Sequence, residues 1–92
     1  MTIDPHESGS VRLLGHARRG FSGIVQALKG GNAESSLSAA ELESRLIELG
    51  FVEGAHVEVL HEGLIGGDPI AVRVENLTVA VRRREAMAVV VI

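Results

Sequence analysis

The sequence has no cysteine, tryptophan or tyrosine, and its only aromatic residues are Phe21 and Phe51. Without thiols there is no disulfide, no zinc–thiolate site and no cysteine nucleophile, a pattern in keeping with a reducing compartment. No apolar run approaches the ~20 residues that a membrane-spanning helix needs. The opening MTIDPHESGS is polar and acidic, unlike a secretory leader. Positive charge is also short: nine Lys and Arg against twelve Asp and Glu give a formal charge of −3. Nucleic acid attracts a net-basic face, and single strands stack on aromatic platforms. The chain offers little of either. A nucleic-acid partner and direct membrane insertion are therefore not expected, and the protein reads as soluble and cytoplasmic.

What is present is 92 residues that are 46% hydrophobic, mostly Val, Leu, Ile and Ala. A chain this short makes one domain and buries roughly 60–65% of its unfolded surface, too little for a large enzyme with a deep cleft. Residues 1–10 read as a flexible arm and residues 11–92 as the domain. Val11 to Leu14 form a short strand candidate stopped by Gly15, and His16-Ala-Arg-Arg-Gly20 a polar turn. A second strand follows over residues 21–28, with Gly23 suggesting a bulge or bend. Residues 29–36 form a flexible loop.

The strongest local signal is Ser38-Ala-Ala-Glu41, a capping box in which each side chain satisfies an orphan amide at a helix start. Leu37 and Leu42 occupy the staple positions. Leu42, Leu46 and Leu49, joined by Ile47, form one apolar stripe, so the spacing predicts a helix over about residues 39–49. Arg45 is placed to pair with Glu41 or Glu48 on the wet face. Gly50 suits the left-handed position after the last turn, with Phe51 folding back toward Leu46. Gly54 then permits the turn into an alternating strand at residues 56–62.

The next two strands can be placed in register. If Glu75-Asn76 is a two-residue loop, Val74 faces Leu77, Val72 faces Val79 and Ile70 faces Val81, all apolar; Arg73–Thr78 and Ala71–Ala80 make the other face. Asn76 tolerates a positive φ better than Glu75, which leaves the turn type open. Residues 82–86 break the sheet as one helical turn. Residues 88–92 form a last strand, apolar on both faces, whose second face needs cover from the helix or from a second subunit, so weak self-association is expected there. Six short strands with one helix and no room for a sandwich make a mainly β fold, a small closed barrel.

Four features carry candidate chemistry. His56, Glu58 and Glu62 fall on one strand face and His61 on the other, but His56 and Glu62 lie ~20 Å apart at strand spacing, too far for one ion; a polar outer face is the simpler reading. Residues 62–69 form a flexible loop with three glycines and no phosphate-loop lysine, in which Asp68-Pro69 starts the next strand. Leu64 and Ile65 at its tip either fold back on the barrel or anchor a partner. Arg82, Arg83 and Arg84, the one basic run, form either a solvated edge or a grip on carboxylates. No catalytic set, metal site or cofactor motif stands out, so an enzyme is not expected.

Arg45-Leu46…Leu49-Gly50-Phe51…Gly54…Val57-Glu-Val59, then Gly67-Asp-Pro-Ile70…Val72, then Ala80-Val-Arg82…Glu85-Ala86…Val91 resembles the FeoA family, the ferrous iron transport protein A domain. Gly20 and Gly23-Ile24 extend the likeness more loosely. The resemblance implies an SH3-like β-barrel. It also implies an accessory protein of ferrous iron uptake that contacts FeoB, a membrane Fe(II) transporter with a GTP-binding domain. Leu64, Ile65, Arg82, Arg83 and Arg84 are then the candidate partner-binding residues, the arginines against an acidic patch on FeoB. Similar domains occur in metal-dependent repressors. A regulatory domain acting in trans, or a weak binder of Fe(II) or another divalent metal, are the alternatives.

Overall fold

The computed structural model describes residues 12–29 and 38–92. The expected N-terminal arm, the Leu37 staple and most of the loop at residues 29–36 lie outside them. In chain order the elements are β1 (Arg12–Leu13), a 3-10 turn (Leu14–His16), β2 (Ser22–Leu28), α1 (Ala39–Glu48), β3 (His56–Ile65), β4 (Asp68–Val74), β5 (Leu77–Val81), a one-turn helix α2 (Arg83–Ala86) and β6 (Val89–Val91). The strands form one sheet in the order β1-β6-β2-β3-β4-β5, every neighbouring pair antiparallel. β2 serves both halves: residues 22–24 pair with β3, and residues 25–28 with β6. The register slips between Val25 and Ala27. The bulge is therefore at Gln26, not at Gly23; a Cβ on Gly23 would stand 2.5 Å from the Ile92 carbonyl, so that glycine serves a close strand approach instead.

The bent sheet folds over a core of small aliphatic side chains plus Phe51. Leu14, Val25, Val57, Val59, Ile70, Val72, Val74, Val81, Val89 and Val91 are buried from the strands and the first turn. α1 adds Leu42 and Leu46. Its cap forms as the sequence predicts: the Glu41 amide donates to Ser38 Oγ at 3.1 Å, and the Ser38 amide to Glu41 Oε1 at 3.2 Å, an arrangement that contributes about 1 kcal/mol. At the other end the Phe51 amide donates to the Leu46 carbonyl and the Gly50 amide to that of Ile47. This is a Schellman motif; it needs the left-handed φ of 104° at Gly50 and carries Phe51 into the core. Two expectations for the helix fail. Ile47 is 46% exposed, whereas Leu42 and Leu46 are buried and Leu49 packs partly buried against the core. Arg45 pairs with Glu85 at 3.7 Å, tying α1 to α2 instead of to its own acids.

The β4–β5 pairing follows the expected register at all five positions. Glu75, not Asn76, takes the positive φ, at 54°. It is held there by a reciprocal pair: its amide donates to the His56 carbonyl at 2.9 Å, and its carboxylate accepts from the His56 amide at 2.8 Å. Leu77, expected to share the apolar face, is 67% exposed at the end of the strand. β1 is shorter than expected because the chain turns into the 3-10 segment at Leu14. β6 lies between β1 and β2, so both of its edges are paired within the sheet, and Val89 and Val91 are buried on its inner face.

The sheet's outer strands, β1 and β5, are not paired with each other. At this end α2 packs closely on the 3-10 turn, with the Arg83 carbonyl and Met87 against Gly15, and one side chain ties the segments together. Arg83 donates from Nε to the Gly67 carbonyl (2.8 Å), from Nη1 to the carbonyls of Gly15 (3.1 Å) and Ala17 (2.7 Å), and from Nη2 to Glu62 Oε1 (2.8 Å). Its own amide donates to Asp68 Oδ1 at 2.9 Å. The first turn, the β3–β4 hairpin and α2 are thus held by one guanidinium. Glu62 reaches this place because β3 bulges at Leu60. Val59 faces Val72, but His61 faces Ala71 and Glu62 faces Ile70. The bulge reverses the alternation, so Glu62 leaves the face of His56 and Glu58 and turns to the barrel end.

Replacing Arg83 with Lys keeps the charge but not the planar fork. Arg83→Lys is expected to lower unfolding free energy by about 2 kcal/mol, and Arg82→Ala by less than about 0.5 kcal/mol, in urea titrations. Glu62 is held below its ordinary 4.5, chiefly by the Arg19 amide and then by the Arg83 and Arg18 charges, against partial desolvation. Glu75 is lowered likewise, first by the His56 amide. Folding therefore favours both ionised forms. Their contribution is complete above the unfolded glutamate value and is lost as pH falls through the lower folded values. Urea midpoints measured across the acid range should show this loss, and Glu62→Gln should flatten it.

Candidate functional site

Residues 62–69 are not a flexible loop but the end of the β3–β4 hairpin. Ile65 pairs with Asp68 across Gly66 and Gly67, whose φ values of 68° and 75° give the two consecutive left-handed residues of a type I′ turn. The Asp68 carboxylate caps no turn of its own but holds the α2 backbone through the Arg83 amide. Leu64 is 101% exposed and Ile65 85%. They do not fold back onto the barrel. Two large aliphatic side chains therefore stand in water at a hairpin tip.

Cationic side chains gather behind that tip. A cleft of about 170 Å³ is lined by His16, Arg18, Glu62, Gly66 and Arg83. Arg19 is beside it, its amide donating to Glu62 Oε2 at 2.9 Å. The three consecutive arginines divide. Arg83 is consumed by the fold and only 21% of its side chain is exposed. Arg82 and Arg84 are exposed at the same end of the barrel. The structure thus brings Leu64, Ile65, Arg82 and Arg84 to one end as exposed residues, and Arg83 is the arginine of the run that is mostly buried. Sequence reading missed Arg18 and His16 as members of this end. They looked like part of a polar turn, and nothing local signalled that residues so far from the hairpin in sequence lie against it.

The outer face of β3 offers a second polar region. His56, Val57, Glu58, Ser22, Arg73 and Glu75 line a cleft of about 160 Å³. Its charges are matched: Glu58 pairs with Arg73 across the strands, and His56 Nδ1 lies 3.5 Å from Glu75 Oε2. Among the described residues no group of three or more His, Asp or Glu side chains is arranged to hold a metal ion. The barrel end presents an apolar tip with arginines around its base.

A family model, the FeoA domain, matches residues 12–92. The crystal structure of an iron uptake regulatory protein (FeoA) is 26% identical and superposes with a TM-score of 0.70 over 89% of this chain and 95% of that one. The structure of Stenotrophomonas maltophilia FeoA complexed with zinc is 33% identical, with a TM-score of 0.68 over 86% of this chain and 87% of that one. That protein is described as a prokaryotic SH3 domain protein, with a suggested role as a bacterial ferrous iron transport activating factor. A manganese-dependent transcriptional repressor, 22% identical, superposes with a TM-score of 0.71 over 89% of this chain but 41% of the repressor, a likeness of fold alone. No curated protein sequence matches. The family match spans the bent sheet, α1 and the Arg83 closure together, and its solved members share the SH3-like architecture derived above: the chain belongs to the FeoA family.

Proposed function

We propose that this chain is a cytoplasmic accessory protein of ferrous iron uptake that acts by docking on an FeoB-type membrane transporter, with the β3–β4 tip as the part that enters the partner. Family membership supports the link to iron transport. The observation that carries the docking reading is the full exposure of Leu64 and Ile65 on a tip that nothing in the fold requires to be apolar. Burying each in a partner pocket would contribute roughly 1.5–3 kcal/mol. Arg82 and Arg84 would add orientation against an acidic rim, since charge at the edge of an interface steers and selects more than it tightens. Among the described residues no helix is long and apolar enough to cross a membrane, and the reading leaves passage of the ion to the transporter.

The test is capture of the purified cytoplasmic part of FeoB under reducing conditions, with and without guanine nucleotide. Leu64→Ser with Ile65→Ser should weaken capture about tenfold or more and leave the circular dichroism spectrum unchanged. Absence of binding in every nucleotide state, or binding indifferent to the double substitution, would overturn the reading.

A further inference from the structure

The sheet ends on one side at β5, a five-residue strand paired only with β4. Edge strands are normally blunted by a charge, a proline or a bulge, because their unpaired amides and carbonyls invite another strand. Leu77-Thr-Val-Ala-Val81 has none of the three. In a hairpin closed by a two-residue loop, the closing pair, here Val74 and Leu77, is the bonded one; alternation makes Val72–Val79 and Ile70–Val81 bonded too. The N–H and C=O groups of Thr78 and Ala80 then point off the edge. Among the described residues, no turn or loop hydrogen bond engages either backbone.

From this we infer that the open edge of β5 is a self-pairing surface, on which a second copy of this chain adds its own β5 antiparallel about a two-fold axis at Val79. The sequence of the strand fits itself in that register. Thr78 of each copy faces Ala80 of the other, so the four groups that point off each edge bond one another. Val79 meets Val79, and the half-covered face continues across the junction. Leu77, 67% exposed in the single chain, gains Val81 of the second copy as its cross-strand neighbour. Beyond the strand, the acidic end at Glu75 lies toward the basic run that begins at Arg82 of the other copy, and this match occurs twice by symmetry. A parallel addition would set acid beside acid and base beside base. Leu64 and Ile65 lie at the β3–β4 turn, outside the paired strand, and only Arg82 is common to both surfaces, so this inference does not depend on the proposed transporter contact.

The experiment is sedimentation of the full chain over a concentration series, beside Thr78→Lys with Ala80→Lys, both side chains being exposed in the single chain. In the dimer each new lysine would face another directly across the strands. The expected result is reversible monomer–dimer behaviour for the unaltered chain and association about tenfold or more weaker for the double variant, with the same circular dichroism spectrum. Should the variant not fold, hydrogen exchange on the unaltered chain decides: the Thr78 and Ala80 amides should slow as concentration rises, while the Val79 amide, already bonded to β4, should not change. A chain that stays monomeric throughout, a dimer insensitive to the lysine pair, or a dimer with unaltered exchange at Thr78 and Ala80 overturns the inference.

Discussion

A single guanidinium stands at the centre of this fold. The outermost strands do not meet, and the buried core is aliphatic apart from Phe51. Where α2 packs on the first turn, Arg83 ties that end together by donating to three carbonyls and one carboxylate from two segments far apart in sequence, residues 15–17 and 62–67. Partly burying a charge is costly unless its donors are met. Here four donors are met and the counter-charge, Glu62, is fixed by the Arg19 amide. The far end of the hairpin stack has its own smaller clamp, the reciprocal His56–Glu75 pair. Between the two clamps the strands need only aliphatic packing.

Much of the architecture was legible because it rests on local rules. The Ser38–Glu41 cap, the Gly50 termination and the β4–β5 register each follow from a few neighbouring residues, and each is found in the structure. The failures share a cause as well. The bulge at Leu60 has no glycine or proline to announce it, so simple alternation put Glu62 on the wrong face. Once that face was misassigned, its contact with Arg83 could not be foreseen. Arg45 and Glu85 likewise find each other through tertiary placement, which no helical spacing encodes. The positive φ went to Glu75 instead of Asn76 because two hydrogen bonds to His56 outweigh an intrinsic backbone preference.

The basic run at residues 82–84 shows how one stretch of like residues can carry different duties. Arg83 points inward because α2 begins there and the Asp68 carboxylate fixes its backbone. Its neighbours on either side are turned to solvent by the same single turn of helix. The end of the barrel that the fold needs for closure is thereby also the end that presents cations and an apolar tip. Closure and this exposed surface are built from one segment.

The exposed pair Leu64 and Ile65 has one further consequence. Neither side chain belongs to the buried core, and the Gly66-Gly67 turn that follows is set by its two left-handed glycines and the Arg83 bond to the Gly67 carbonyl, not by Leu64 or Ile65. Selection can therefore exchange these two residues with almost no effect on folding. On the docking proposed above, relatives built on this barrel would be free to diverge in whom they bind while inheriting an unaltered scaffold.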